Sequence, residues 1–473
     1  QQEQREKVRG GEAETRLGKI EFESDYVTEE TAAKLREELQ FQAAVQTYLW
    51  SFPIANVMSL RDGHRAVGIK NTAIPIFEDY LTPKTVVPTG NQSTIYAYNV
   101  LTLGEEPMVL VVPPDVVGFV GDAWQRPQGD LGRPGPDRGE GGKYLLVPPG
   151  YEGEVPDGYY VFESKTYGIW NFMRGYVRDS VEAAAKNIKE NLKVYPLSRK
   201  DNPPRMEFLN MSGRGDYQTI APNDFSFYED VHALVQEEAD GWADPELLGQ
   251  CRAIGIEKGK PFAPDARLTK ILTDAVAIGN AYARANTIRP RDPGHWIYPD
   301  SKSEWVMAFP EKDSFFLKDG ARRMDGRLWM HYNAVCVTPA MALTRPGAGS
   351  DYQIVGLDAQ GRPLDGAKTY KLHLPPNFPV KDNWSVTIYD PQTRSMLQTD
   401  QKFAGVNSLS GKVKPNADNS HDIWFAPDAP RGKEGNWIQT IPGKSWFIIL
   451  RAYGPLEPWL DQTWRPSELE LVE

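Results

Sequence analysis

Apolar and polar residues change their spacing several times along the chain. From Thr28 to Leu60 the pattern is helical. Thr28 can cap a helix whose first turn carries Glu29 and Glu30, the charge that suits a helix N-terminus. "FQAAVQTYLWSFPIANVMSL" continues that helix, with Pro53 expected to kink or break it. The period then turns to two. "STIYAYNVLTL", the turn "GEEP" and "MVLVVPP" predict a β-hairpin. In its first strand Thr94, Tyr96 and Tyr98 point one way and Ile95, Ala97 and Asn99 the other. The second side continues through Leu101 and Leu103 and is the better core face. The tyrosine row is then free to form a ligand wall, beneath the long loop that follows.

That loop, residues 124–158, is rich in Gly and Pro, yet it embeds Trp124, Tyr144, Leu145 and Leu146 and is expected to be ordered. "YYVFESKTYGIWNFMRGYV" predicts a strand, a turn around Gly168 and a second strand. Helices occupy the middle of the chain. Ser180 caps "VEAAAKNIKENLKVY", with Val181, Ala184, Ile188 and Leu192 on one face. Asp224 is expected to cap "FSFYEDVHALVQEEA". Asp244-Pro245 opens "ELLGQCRAIG", and Asp265 opens "ARLTKILTDAVAIGNAYARAN". From about residue 350 short alternating segments such as "NWSVTIYD" and "SWFIILRAYGP" predict an antiparallel sandwich. The expected class is α+β: a mobile tail over 1–25, an N-terminal α+β domain with a helical segment over 26–310, and a C-terminal jelly-roll-like β-sandwich over 311–473.

Composition narrows the function. The 13 Trp, 21 Tyr and 18 Phe suit β structure and flat binding surfaces. A net charge of −11 argues against nucleic acid or an anionic membrane as partner, because both require a basic footprint. No apolar run reaches the about 18 residues needed to span a bilayer. The polar opening "QQEQREKVRGGEAE", without an initial Met, fits either a mature terminus after a removed signal peptide, which would place the protein in the periplasm or outside the cell, or a trimmed chain.

Most chemical motifs fail. The six histidines are scattered without HxH or HExxH spacing, so no metal site is predicted, and no cofactor is implied. Cys251 and Cys336 show no paired spacing, and Cys336 lies in an apolar run as an inert thiol. "GPDRGEGGK" resembles a phosphate loop, but Asp137 stands where glycine is required and Tyr144 where Ser or Thr is. No GxSxG elbow occurs. What remains is a set of candidates: Asp122 and Asp130 as acid or base beside Trp124, and Arg174 as a lone charge in an aromatic strand. Such an arginine pairs either with a buried carboxylate or with an anionic ligand.

Several stretches taken together resemble one family: "YLWSFPIANVM", "GNQSTIYAYNVLTLGEEPMVLVVPP", "FVGDAWQRPQGDLGRPGPDRGEGGKYLLVPPGYEGEVPDGYYVFESKTYGIWNFMRG", "NWSVTIYD" and "GNWIQTIPGKSWFIILRAYGP". It is the two-domain bacterial family of domain of unknown function 1254 followed by domain of unknown function 1214. The resemblance runs from about residue 35 to the end. It implies an α+β domain joined to a jelly-roll-like sandwich, often in exported proteins. It carries over Asn91, Thr94 and Tyr96 in the first strand and Asn436 with Trp437 near the end. Two places depart from the family. Lys402-Phe403 stands where an Arg-Tyr pair is common, and "WMHYNAVCVTPAMA", with His331, Tyr332 and Asn333, is less plain than in relatives.

The expected function is an exported protein that processes a small organic molecule, hydrolase-like. Asp122 or Asp130 would be its base, with Arg174 and Tyr96 orienting or stabilising an oxyanion. Asn91, Thr94, Tyr98, Trp124, Tyr167 and Trp170 would line the ligand site. The alternative is a non-catalytic, lectin-like binder of a carbohydrate or other small molecule. A homo-oligomer is compatible with either.

Overall fold

A helix of 38 residues, Glu29–Ala66, forms the spine of the N-terminal half of the computed structural model, which describes residues 2–7, 10–70 and 72–472. The Thr28 hydroxyl accepts from the Thr31 N–H at 3.3 Å, as the sequence pattern requires of a cap. Pro53 lies inside the helix without ending it. The middle of the helix is buried all round, and side chains after the Val116–Asp122 strand supply bonds next to the proline. Trp124 Nε1 donates to the Trp50 carbonyl at 3.0 Å and Gln125 Nε2 to the Pro53 carbonyl at 3.2 Å. Tertiary packing thus outweighs the local penalty of a missing N–H.

Before the spine, residues 1, 8 and 9 of the expected tail lie outside the described residues. The rest holds the short helix Gln2–Lys7 and two small hairpins, Ala13–Thr15 with Gly18–Ile20 and Phe22–Glu23 with Tyr26–Val27.

The predicted hairpin over 93–112 does not form. Ile95–Thr102 enters a six-stranded mixed sheet in the order Phe208–Asn210, Ile74–Ile76, Ile95–Thr102, Gly168–Gly175, Val116–Asp122, Pro127–Gly132. Met108–Val112 instead joins a four-stranded sheet with Tyr160–Glu163, Gly142–Val147 and Lys193–Pro196. The reason is that Met108–Val112 is apolar on both sides. Leu110 packs into the core shared with the six-stranded sheet, while Val109 meets Leu145, Val147 and Tyr195 in a separate cluster. A strand buried on two faces needs a layer on each.

The Gly/Pro-rich stretch is ordered, and two of these strands, Pro127–Gly132 and Gly142–Val147, come from it. Asp137 holds the turn between them: its carboxylate accepts from the N–H groups of Gly132, Gly139 and Gly141 and from the Tyr144 hydroxyl.

Helix Val181–Asn191 covers one face of the six-stranded sheet through Ala184, Ala185 and Ile188. Helices Ser226–Glu237, Pro245–Ala253 and Ala266–Ile288 pack on the spine in a second core. In the C-terminal half, Ser350–Val355, Phe447–Pro455, Val380–Tyr389 and Gly405–Asn407 form one four-stranded sheet in that order. Trp437–Gln439, His421–Ala426, Thr369–Leu374 and Glu470–Val472 form another. The two share a core in which Trp446 packs on Tyr370 and Phe425. The molecule is therefore α+β, with helices gathered around the spine in the N-terminal half and two four-stranded sheets in the C-terminal half.

Candidate functional site

The site is assembled from the strand pairing outward. Ile95–Thr102 pairs with Gly168–Gly175 so that Tyr96 faces Arg174, Tyr98 faces Phe172 and Val100 faces Trp170. Because side chains alternate along a strand, these six lie on one side of the sheet. Ile95, Ala97 and Leu101 go to the helix-covered core on the other. The tyrosine side is covered by the C-terminal half and the segment leading into it, not by the Gly/Pro-rich loop. Helix Met324–Asn333, residues 334–336 and helix Pro339–Ala342 bring Trp329, Met330, Cys336 and Met341. Strands Ser350–Val355 and Phe447–Pro455 bring Tyr352, Ile354, Ile449 and Arg451.

Between these walls is an interior cavity with about 110 Å³ open to the centre of a water molecule. That is several times the minimum for one water, about 10–15 Å³ on the same measure. Most of its lining is aromatic or aliphatic.

One end of the cavity is polar. Asn91 shapes it: its Oδ1 accepts from the N–H of Ser93 (3.0 Å) and Thr94 (3.2 Å) and from both their hydroxyls. The Asn91 N–H donates to the Tyr96 hydroxyl at 3.1 Å. The C-terminal sheet clasps this turn. Tyr389 donates to the Gly90 carbonyl at 2.7 Å, and Ser93 Oγ bonds the Tyr453 hydroxyl at 3.1 Å. Arg451 donates to the Thr89 carbonyl and the Tyr389 hydroxyl.

Arg174 differs. Among the described residues it makes no hydrogen bond or ion pair, and its Nε is buried without a partner. Burial alone would lower its pKa, but Tyr352, Tyr96, Cys336 and Tyr453 around it act in the opposite direction and the net shift is upward. Burial raises the Tyr96 and Tyr98 phenols and pushes the Cys336 thiol up to about 11, so all three stay protonated at neutral pH.

Of the sequence candidates, the cavity brings together Arg174, Tyr96, Tyr98, Asn91 and Trp170. Thr94 is bound into the Asn91 turn. Asp122 lies elsewhere, wholly buried at a strand end. Its carboxylate accepts from the N–H of Trp124 and Arg126 and pairs with Arg126 Nε at 2.5 Å. Asp358 and Arg362 repeat the same closed turn, with Nε to carboxylate 2.9 Å. Asp130 accepts from the Ala340 N–H at 3.3 Å, and burial raises its carboxyl. Trp124 packs edge-on against Trp50 and Trp242 beside the spine. The Tyr167 N–H donates to Glu238 at 2.6 Å, beside an open surface groove. Asn436 and Trp437 pin backbone within the C-terminal half, Asn436 to Lys414 and Asp422 and Trp437 to Ala426.

Sequence reasoning missed Arg451 and Tyr352. Arg451 carries the same signal as Arg174, a single charge in an apolar strand ("FIILRAYGP"). Among the described residues no three metal-ligating side chains come together, and no helix is long and apolar enough to cross a membrane.

An α+β protein in two halves with an internal cavity at their junction is the class these features define. Residues 72–196 match the family described as protein of unknown function DUF1254, and residues 349–457 match the one described as protein of unknown function DUF1214. The chain belongs to the two-domain family in which the first precedes the second. None of the curated proteins matches it. Its structure is similar to the crystal structure of the VPA0106 protein from Vibrio parahaemolyticus. The TM-score is 0.53 at 18% identity, over 92% of this chain and 100% of that one, a likeness of fold. An uncharacterised protein from Burkholderia cenocepacia matches at 11% identity and a TM-score of 0.41, over 94% of this chain and 97% of that one. Asn91, Tyr96, Trp170 and Arg174 fall within the first family match, and Tyr352 and Arg451 within the second.

Proposed function

We propose that the protein binds a small organic molecule in the junction cavity, with the ligand's apolar body on the aromatic wall and its polar end toward Asn91 and Arg174. The observation that carries this reading is the cavity itself: roomy, mostly apolar, and polar at one end, as small-molecule sites are. The C-terminal sheets, read as a jelly-roll-like sandwich, supply one wall.

Binding is favoured over hydrolysis because no Asp, Glu or His lines the cavity, so water there has no general base. Asp122 and Asp130 have their carboxylates engaged elsewhere. A sugar is a poorer fit than an apolar molecule, since most of its hydroxyls would face side chains such as Phe77, Leu81 and Phe172 without partners.

The test is a titration followed by tryptophan fluorescence, since Trp170 and Trp329 both line the cavity. Small apolar organic molecules should change the emission saturably. A Cys336→Trp variant, which fills the space, should abolish the saturable change while keeping the native circular dichroism spectrum. Binding that survives this filling would place the ligand elsewhere.

A further inference from the structure

We infer that the ligand is a small monocarboxylate whose charged group sits between Arg174 and Arg451, an assignment that rests on the binding reading above. The cavity's charges are unbalanced. Arginine stays protonated in proteins, so the cavity carries two permanent positive charges. No carboxylate lines it. The groups that act on Arg174 are the hydroxyls of Tyr352, Tyr96 and Tyr453 and the Cys336 thiol, and none of them is a carboxylate. Those acting on Arg451 are Tyr389, Tyr453 and Tyr352.

Arg451 is partly satisfied, by a phenol at 2.8 Å and a backbone carbonyl at 2.9 Å, but neither cancels its charge. Arg174 is not satisfied at all among the described residues, and its Nε is buried without a partner. Arg174 is half-buried against an apolar wall, and a cation drawn partly out of water in this way is stabilised when an anion enters with it. A neutral ligand would leave Arg174 as it stands.

Shape selects the anion. A guanidinium presents parallel N–H groups in one plane, which match the two oxygens of a carboxylate. Two of the Arg451 contacts are already taken by protein, which leaves Arg174 as the principal anchor and Arg451 as the supporting charge. The remaining wall, with Trp170, Phe172, Trp329 and Ile449, offers a second charged group no partner. One carboxylate on an aliphatic or aromatic body therefore meets Arg174 and the apolar wall, while Arg451 keeps its positive charge and its bonds to the Tyr389 hydroxyl and the Thr89 carbonyl.

The experiment uses the full chain and matched probes: hexanoate against hexanamide, and 3-phenylpropanoate against 3-phenylpropanamide, titrated by calorimetry. The expected result is that each carboxylate binds at least about tenfold tighter than its amide, as a charge-assisted hydrogen bond implies. Arg174→Met should bring the carboxylate down to the affinity of the amide, and Arg174→Lys should restore part of the difference. If the amides bind as tightly as the carboxylates, the anion assignment is overturned while the binding reading stands. If neither class binds, both fall. Should Arg174→Met fail to fold, the wild-type comparison between carboxylate and amide decides alone.

Discussion

Arg451 reaches from the C-terminal sheet to the N-terminal half, where its Nη2 donates to the Thr89 carbonyl at 2.9 Å. Its Nη1 bonds the Tyr389 hydroxyl, which in turn donates to the Gly90 carbonyl. One side chain therefore ties together the two halves and shapes the polar end of the cavity.

Arg451→Met removes both bonds and leaves the half-buried Thr89 carbonyl without this donor. We expect a loss of about 2–4 kcal/mol in stability, the range for breaking buried charge-assisted bonds. Thermal or urea unfolding of the full chain measures it; an unchanged midpoint would show that the clasp contributes nothing.

Asn91→Asp separates structure from ligand binding. Aspartate keeps an oxygen acceptor for the Ser93 and Thr94 donors, so the turn should persist and the melting temperature hold or rise. It also adds a negative charge to the wall that bears Arg174 and Arg451, and carboxylate affinity should fall by about tenfold. Asn91→Ala, in contrast, strands two N–H groups and should cost about 1–3 kcal/mol of stability.

Gly279 lies in helix Ala266–Ile288 against the spine. A Cβ there would meet the Tyr48 ring at 2.4 Å. Gly→Ala inside a helix ordinarily stabilises by up to about 1 kcal/mol. Here we expect destabilisation of about 1–3 kcal/mol from overpacking, visible as a lowered melting temperature.

Asp230 gives a pH prediction. Burial, then the neighbouring Asp62, pushes its carboxyl up from 3.8 to about 7. The folded state therefore holds a proton that the unfolded chain has already released. Stability from this group is fully present below 3.8 and is lost as pH rises toward about 7. Asp230→Asn should be more stable than wild type at pH 8, with the gain vanishing at pH 4. Chemical denaturation at the two values provides the comparison, and a gain independent of pH would contradict the assignment.

Several of these features are legible in the residues alone. Thr28, Ser180, Asp244 and Asp265 each cap the helix their position announces, whereas Asp224 sits one residue before the cap position, Phe225, and accepts from the Ser226 N–H at 2.9 Å. Period two puts Tyr96 and Tyr98 on one face of their strand, and a lone charge among aromatics marks Arg174. These are local signals, carried by neighbours within a few residues. The carboxylates show the limit of such reading. An acidic residue bound into a turn by its own neighbours, as Asp122 is by Trp124 and Arg126, has the same sequence appearance as a free one until the turn is seen.

The sequence by itself determined the helices between residues 28 and 288, the alternation of the strands, the family and most residues of the tyrosine wall, because sterics, capping and side-chain periodicity act over one to four residues; it did not announce helix Met324–Asn333. The tertiary structure alone decided the rest. It put Met108–Val112 in a different sheet from Ile95–Thr102, carried the spine through Pro53, and placed Trp329, Cys336, Tyr352 and Arg451 opposite Tyr96. These partners are far apart along the chain, from about 230 residues for Trp329 to about 350 for Arg451, and their contacts follow from burying two apolar faces at once, which no short window of sequence expresses.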